Sequence, residues 1–525
     1  MIYALKLLFP VLVVCGLAWV LLRSAFAPLL PGRQYARAWF VIVLATIVAF
    51  LGHSTMIYAI GIFVVALFAQ SYLGGEMRGQ LSAFVLLLFA LPPLNWQVGG
   101  LGDINYLLGL SGPRILALAL LLGPALRLMG DRRIKHESWV TTLDLLVIGY
   151  QLLKIVLMVP HSSVTTSLRT LVECFLDILL PYYVMSRAIR TESDMRSILS
   201  HAMLGLTFQA AIGFTEFFVH RDLYSELQWV YGHMWQLTMN LMRGSFLRVE
   251  AATPQPIVLA FEMIFALGLW TFLRGRDWRQ WPVRGVYFVV GCCLAFTFSR
   301  GPWICGIAFG VLLLAARKLT AKALTASLLT LLVAGVLVKA TGADTVVIAG
   351  LSTIFGSSEA DLSSINYRAQ LLDTSLALLK QSPWLGVPNY AAQMQDLRQG
   401  EGIIDLVNTY VAVALDTGVI GLALYLLPYL LVIRRLLRVR GLSRRDGTGN
   451  AVPAGWFAAT LLALSIACLM TIFTTSTYFT MPFLLITLIA LPIARLSMKA
   501  EEVDIPLEIK PPPGHGLHQR AAILR

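Results

Sequence analysis

The sequence predicts an all-α protein, a polytopic transmembrane helical bundle of about 12–15 spans with a partly helical periplasmic loop. Hydrophobic residues make up 58% of the 525 residues and charged residues only 13%, against about 25% charged in ordinary globular domains. Apolar stretches of about 15–25 residues recur almost from end to end, and each can cross a hydrocarbon layer of about 30 Å. Because backbone groups in lipid must hydrogen bond internally, the stretches are predicted to be helices.

The apolar stretches divide the chain into successive spans joined by short polar loops. The first is flanked by Lys6 and Arg23 and is predicted to remain as an uncleaved anchor, although Ala25-Phe26-Ala27 resembles a cleavage site. An integral membrane domain is expected over residues 1–500, and the polar, proline-containing residues 501–525 are expected to be a disordered cytoplasmic tail. Spans are predicted near residues 3–22, 38–51, 56–72, 80–94, 112–128, 142–159, 168–186, 198–217, 255–273, 285–298, 303–316, 323–340, 409–433, 455–474 and 477–494.

The basic loops set the predicted orientation. Lys and Arg total 41 against 28 acidic residues, a net charge of +13. When the spans alternate, every strongly basic loop falls on one side, which the positive-inside rule assigns to the cytoplasm. Two long segments, 218–254 and the large loop 341–408, then lie on the outer side of the membrane. Within the larger one, helical spacing of leucines predicts a helix from Ser363 to Gln381 that ends before Ser382-Pro383.

Composition and spacing disfavour several function classes. The basic residues sit mainly in loops between spans, so no basic-aromatic surface suited to nucleic acid is expected. All six cysteines lie inside apolar stretches, so a disulfide framework is not predicted. Neither a metal-ligand cluster of recognisable spacing nor a glycine-rich nucleotide loop is present, so no metal or cofactor is expected and ATP-driven transport is disfavoured.

Three arginines depart from the positive-inside pattern. Arg248 precedes the span at 255–273, Arg300 occupies a tight turn between two apolar runs, and Arg368 opens the helix of the large loop. One such arginine would more simply snorkel or pair with a nearby carboxylate. Three on the same face favour a functional cluster, because a guanidinium offers a planar fork of donors that matches phosphate oxygens. Such a cluster could bind a lipid-linked diphosphate and stabilise it as it departs.

Acidic residues inside the apolar runs allow two interpretations. Asp416 lies about two helical turns into a span, where a polar residue is either functional or a helix–helix contact. Glu173 and Asp177 are four residues apart and share a helix face. Together with Glu262 they could belong to an ion or proton path, or they could be partnered structural groups. The sequence leaves these alternatives open.

Four short elements follow one another in a fixed order between about residues 245 and 435. They are Arg248 with Ala252-Thr253-Pro254, then Phe298-Ser299-Arg300-Gly301-Pro302-Trp303, then Arg368 with Ser382-Pro383-Trp384-Leu385-Gly386-Val387, and finally Asn408 with Asp416, Gly418, Ile420 and Gly421. In order and spacing they resemble the bacterial O-antigen ligase and O-antigen polymerase family of membrane glycosyltransferases. The first half of the chain agrees with that family only as generic membrane helices.

The resemblance implies a metal-independent transfer of a glycan from an undecaprenyl diphosphate carrier to an acceptor glycan, in O-antigen or exopolysaccharide biosynthesis. It implies a bacterial cytoplasmic (inner) membrane location with a periplasmic active face, and other polysaccharide assembly proteins as possible partners. Arg248, Arg300 and Arg368 would bind the carrier phosphates and act in catalysis. Ser299, Asn408 and Tyr367, which directly precedes Arg368, would bind the substrate.

The sequence departs from the family in its fourth element. The family often has a His directly before the Asn, whereas here Val407 precedes Asn408. The acceptor hydroxyl then needs another general base, for which Glu250, Asp405, Asp416 and His233 are candidates by position. The missing imidazole favours a polymerase or exopolysaccharide branch over the lipid A-core ligase. A lipid-linked glycan transporter or flippase is the main alternative, although no internal repeat is evident, and a non-catalytic scaffold of an export complex is a third.

Overall fold

The structure is a computed structural model that describes residues 2–100, 105–131, 137–232, 241–243, 245–316, 359–398, 404–443 and 453–498. Within these ranges helices dominate, which confirms the all-α polytopic prediction. Eight described helices are long and apolar enough to cross a membrane, and four shorter apolar helices accompany them. The predicted span at 323–340, the tail at 501–525 and His233 lie outside the described residues.

The first part of the chain forms α1 to α8 and one β-hairpin. Ser54 caps α3 by accepting a hydrogen bond from the backbone N–H of Ile57, and Thr191 caps α8 in the same way through Asp194. The elements are α1 (Ile2–Phe26), α2 (Gly32–Leu51), α3 (Thr55–Tyr72), α4 (Glu76–Leu88), β1 (Asn95–Gly99), β2 (Tyr106–Ser111), α5 (Gly112–Gly130), α6 (Ser138–Met158), α7 (164–188) and α8 (Glu192–Val219).

The second part contains the site-bearing helices. Proline occupies the first turn of α9, α10 and α15, where a missing N–H costs no hydrogen bond. The elements are β3 (Met242–Arg243), β4 (Phe246–Leu247), α9 (Pro256–Arg274), α10 (Trp281–Phe296), α11 (Arg300–Ala316), α12 (Glu359–Gln381), α13 (Thr409–Ser443), α14 (Pro453–Thr471) and α15 (Met481–Leu496). Helix α12 confirms the helix predicted in the large loop.

The segments at 95–99 and 106–111 differ from the prediction. The expected span at 80–94 ends early, because α4 stops at Leu88 and Pro92 and Pro93 follow. Strands β1 and β2 then pair as an antiparallel hairpin. The acidic pair in α7 also has an explanation, since Arg114 binds Glu173 at 2.7 Å and Asp177 at 2.8 Å. This contact favours the structural interpretation of both carboxylates.

Helix α9 lies at the centre of the bundle. Nearly all its side chains are buried, and it packs against α8, α10, α11, α14 and α15. Its one acidic residue, Glu262, accepts a hydrogen bond from the Thr480 hydroxyl at 2.6 Å. An apolar helix buried on all sides fixes the positions of its neighbours. The turns that precede α9, α11 and α15 are therefore held close to one another.

The basic loops meet at one end of the bundle, as the charge pattern predicts. Arg190 pairs with Asp131 at 2.8 Å, and Arg495 at the end of α15 pairs with Glu192 at 3.0 Å. Helices α8, α10, α13 and α15 each have their other end at the opposite pole, where the segments around 248, 300, 405 and 478 lie. The assignment of this pole to the periplasm remains a prediction.

Candidate functional site

Arg248 forms hydrogen bonds between the first two of the four sequence elements, its own and the one that contains Ser299 and Arg300. Its guanidinium donates from Nε to the Thr297 carbonyl at 3.2 Å and from Nη2 to the Ser299 hydroxyl at 3.3 Å. The backbone N–H of Val249 also bonds to the Phe296 carbonyl at 3.2 Å. The chain before α9 is therefore fastened to the turn between α10 and α11. This contact brings Arg248 beside the turn that carries Arg300.

Arg243 is a fourth arginine beside this turn. We call Arg243, Arg248, Arg300 and Arg368 the arginine group. Arg243, at the end of β3, donates to the Phe298 carbonyl at 2.7 Å. Burial lowers the pKa of Arg248 to about 10, and the positive charge of Arg243 adds to this effect. The pKa of Arg368 is also lowered, by burial and by the charges of Arg243 and Arg300, while Asp405 opposes the shift. Four cations thus share one electrostatic environment, which is costly unless anions are bound nearby.

Two carboxylates accompany the arginines. Glu250 is buried. Burial and the negative charges of Asp405 and Glu250 raise the pKa of the Tyr478 hydroxyl, and the positive charge of Arg248 lowers it. Asp405 accepts hydrogen bonds from the Val407 N–H at 3.0 Å and from the Ser476 hydroxyl at 2.6 Å. Glu250 and Asp405 therefore lie at the arginine group, and their role as general base stays a prediction.

Backbone anchoring explains why Arg248 and Glu250 hold their positions. The carboxylate of Glu216, at the end of α8, accepts hydrogen bonds from the N–H groups of Leu223 at 2.9 Å, Glu250 at 3.3 Å and Ala251 at 2.8 Å. Buried carboxylates are stable when backbone donors surround them. Glu216 thus connects a membrane helix directly to the segment that carries both functional candidates.

Strained backbone is concentrated around the arginine group. Among the described residues, seven non-glycine residues have positive φ, and four of them flank the site: Ala251, Phe298, Val407 and Phe479, with φ between 48° and 56°. A bulky or β-branched residue in this region costs on the order of 1–3 kcal/mol. Such strain persists only where surrounding contacts enforce it, and it is typical of functional sites.

The third and fourth sequence elements dock on each other through their glycines. Gly386 and Gly418 have φ of +74° and +65°. A Cβ on Gly418 would lie 2.1 Å from the Trp384 carbonyl oxygen. The helix α13 is kinked at Gly418, and the Val419 N–H there bonds to the Pro383 carbonyl at 2.9 Å. The two elements are thus joined by a backbone-to-backbone contact that positions the end of the large loop.

Three predicted candidates have structural partners. Asn408 caps α13, because its side-chain oxygen accepts from the N–H of Tyr410 at 3.0 Å. The Tyr367 hydroxyl donates to the Leu397 carbonyl at 2.7 Å, and Ser299 holds Arg248. Their predicted role in binding substrate remains a prediction. The contacts show that each also stabilises the frame of the site.

Asp416 lies away from the arginine contacts, inside a cavity of about 770 Å³ between α6, α7, α13 and α15. Its carboxylate pairs with Lys154 of α6 at 3.5 Å. Asp405 and Tyr478 line the same cavity. The sequence reasoning missed Lys154, although a basic residue inside an apolar run is a signal of an intramembrane partner. Asp416 belongs to the cavity and not to the arginine group.

The comparisons with known proteins agree with the geometry. The model of a family described as O-antigen ligase matches residues 285–426. No match was found among curated proteins. The matched segment contains Arg300 and Arg368, and the docked glycines Gly386 and Gly418. Over residues 285–426 the chain is therefore similar to the O-antigen ligase family.

Proposed function

We propose that the protein is a membrane glycosyltransferase that transfers or polymerises undecaprenyl-diphosphate-linked oligosaccharide repeat units at the periplasmic face of the bacterial cytoplasmic membrane. The observation that carries the proposal is the convergence of Arg243, Arg248, Arg300 and Arg368 at one pole of the bundle. Two of these arginines lie in the segment that matches the O-antigen ligase family. A permanently charged, planar donor group suits phosphate oxygens better than any other side chain.

In the proposed reaction an acceptor hydroxyl oxygen attacks the anomeric carbon of the lipid-linked donor. The bond from that carbon to the diphosphate oxygen breaks, and the electron pair leaves with the diphosphate. The arginines stabilise the negative charge that builds on the departing group, an effect for which one donor commonly contributes about 10²–10³ in rate. The donor enters laterally from the bilayer, so its lipid chain need not leave the membrane.

The proton of the acceptor hydroxyl requires a carboxylate at the site. Glu250 is buried beside Arg248, and Asp405 lies near Arg368 and Tyr478. Both are close enough to influence the arginine group, whereas Asp416 is engaged with Lys154 in the cavity. Glu250 and Asp405 are therefore the residues that we assign to proton acceptance, in place of the histidine that the chain lacks.

A glycan profile of a deletion strain tests the proposal. The strain is complemented with the wild type, with Arg300→Ala, or with the control Arg221→Ala, whose side chain pairs with Glu226 outside the arginine group. Loss of high-mass polysaccharide, with single lipid-linked units exposed outside, in the deletion and Arg300→Ala strains supports a polymerase. Long lipid-linked chains would indicate a ligase. Units retained on the inner leaflet indicate a flippase and overturn the proposal, as does a normal profile with Arg300→Ala.

A further inference from the structure

The cavity beside the arginine group has an aromatic lining. Its lining includes Asp405 and Gln255, at the end that adjoins the arginine group, and Pro428 in α13 and Ile489 in α15. A volume of about 770 Å³ is within the range of small-molecule sites. Five tyrosines contribute to its wall: Tyr150, Tyr390, Tyr425, Tyr429 and Tyr478. Tyrosine combines an apolar face with a polar edge, which suits ligands that present both, such as sugar rings.

The Tyr478 hydroxyl lies where the cavity and the arginine group meet. It is buried, it lines the cavity, and no described residue forms a hydrogen bond with it. Arg248, Glu250 and Asp405 all act on its charge state. Burial raises the pKa of Tyr478 well above its ordinary value, so the phenol keeps its proton and remains a donor. Buried hydroxyls without a protein partner are uncommon, so this hydroxyl is available to a ligand or to a water molecule.

The arginine group and the cavity carry charges of opposite sign. The arginine group contains four cations, whereas the cavity is lined by the carboxylates of Glu173, Asp177, Asp405 and Asp416 and by one cation, Lys154. Arg114, behind the wall, pairs with two of these carboxylates, so the cavity as a whole keeps more negative than positive groups. A diphosphate is therefore repelled from the cavity and attracted to the arginines.

We infer that the cavity binds the acceptor glycan through its uncharged, hydroxyl-rich sugars, and that the Tyr478 hydroxyl holds the reacting end of that glycan against the arginine group. The inference rests on the proposed transferase function and adds the place and chemistry of the acceptor. Sugar hydroxyls donate to carboxylates, and sugar faces pack on tyrosine rings. Acidic sugars at the acceptor end are excluded by the same carboxylates.

Two probes separate the regions in the purified full-length protein. The first probe is inorganic pyrophosphate, whose binding to the arginine group is measured as a rise in the thermal unfolding midpoint. The repeat-unit oligosaccharide, released from the host polysaccharide by mild acid, reports on the cavity through a saturation-transfer NMR titration. Tyr478→Phe should weaken oligosaccharide binding roughly tenfold, the loss of one hydrogen bond, and should leave pyrophosphate binding unchanged within about twofold. An oligosaccharide oxidised to carry uronic acids should bind the wild type more weakly than the neutral one.

Controls make each outcome decisive. Tyr231→Phe removes a hydroxyl that donates to the Ala49 carbonyl at 2.6 Å, away from the cavity lining, and should bind both probes normally. Ala412→Trp places a bulky ring in the cavity and should abolish oligosaccharide binding while the pyrophosphate response shows that the fold is intact. Unchanged oligosaccharide binding in both Tyr478→Phe and Ala412→Trp overturns the inference. Oligosaccharide binding without any pyrophosphate response would instead count against the arginine group and leave the cavity assignment standing.

Discussion

Arg248 donates to the hydroxyl of Ser299 at 3.3 Å, and this bond joins two elements that lie 51 residues apart in the chain. The Ser-Arg-Gly turn thus contributes twice to the site. Its serine orients one arginine, and its own Arg300 supplies another. A site that must stabilise a departing diphosphate needs donors that are fixed in advance, because reorganising them during the reaction would cost free energy.

Ser299→Ala should lower the transfer rate about tenfold without unfolding the protein. The substitution removes one hydrogen bond to a charged group, worth about 1.5 kcal/mol. The measurement is the initial rate of glycan transfer by purified enzyme. Ser186→Ala, which removes a hydroxyl bonded to the Tyr182 carbonyl near the basic loops, serves as control and should retain the wild-type rate. A wild-type rate in Ser299→Ala would mean that Arg248 does not depend on the serine.

Inorganic pyrophosphate should stabilise the wild-type protein against thermal unfolding. Burial and Arg243 lower the pKa of Arg248 to about 10, so its cation is costly and a bound anion relieves that cost and raises the pKa again. At a concentration of about 100 times Kd the stabilisation is about 2.7 kcal/mol. The effect should shrink in Arg243→Gln and shrink further in the Arg243→Gln, Arg248→Gln double variant. Sodium chloride of equal ionic strength is the control, and an equal response to it would contradict specific binding.

Glu216→Gln should destabilise the segment that carries Arg248 and Glu250. The carboxylate accepts three backbone N–H groups, and an amide must turn its own donor toward at least one of them, at a cost of about 1–3 kcal/mol. A lower unfolding midpoint in detergent and a lower transfer rate are expected. Glu226→Gln, at an exposed pair with Arg221, should change the midpoint little. Equal midpoints for the two variants would show that Glu216 is not an anchor.

Gly418→Ala should prevent the large loop from docking on α13. A Cβ there would meet the Trp384 carbonyl oxygen at 2.1 Å, and a side chain at φ of +65° and ψ of −168° adds about 1–3 kcal/mol of strain. A Cβ on residue 386 would lie 2.4 Å from the Leu415 carbonyl oxygen, so Gly386→Ala should have the same effect. Gly291→Ala in α10 has open space around the new methyl and is the control. Size-exclusion profiles and unfolding midpoints after purification measure the effect, and wild-type behaviour of Gly418→Ala would refute the docking.

Much of the fold follows from local patterns. Apolar length alone predicts the spans, and the positions of basic residues group the loops at one end, as the pairs Arg190–Asp131 and Arg495–Glu192 confirm. The three arginines were recognisable because charge on the outer side of an apolar turn is unusual. Arg243 satisfied the same criterion, being in the same outer segment as Arg248, and was overlooked.

Contacts between distant segments could not be read from the sequence. The hairpin at 95–111 carries no strong strand signal, and Pro92-Pro93 was the only sign that the span stops early. Lys154 pairs with Asp416 only because α6 and α13 pack together. Tyr478 lies in a short turn without a motif, and its importance depends on the neighbours that folding provides. The glycines at 386 and 418 belong to recognisable sequence elements. The need for glycine at both positions comes from a tertiary contact between the two backbone segments.

The most direct test of the account is a transfer assay with purified protein in lipid nanodiscs, supplied with an undecaprenyl-diphosphate-linked repeat unit and an acceptor glycan. Arg300→Gln is compared with the wild type and with Arg221→Gln, all checked for equal folding. We expect transfer by the wild type and by Arg221→Gln, and a rate at least about 10²-fold lower for Arg300→Gln. Transfer by Arg300→Gln at the wild-type rate would contradict the assignment of the arginine group to the departing diphosphate.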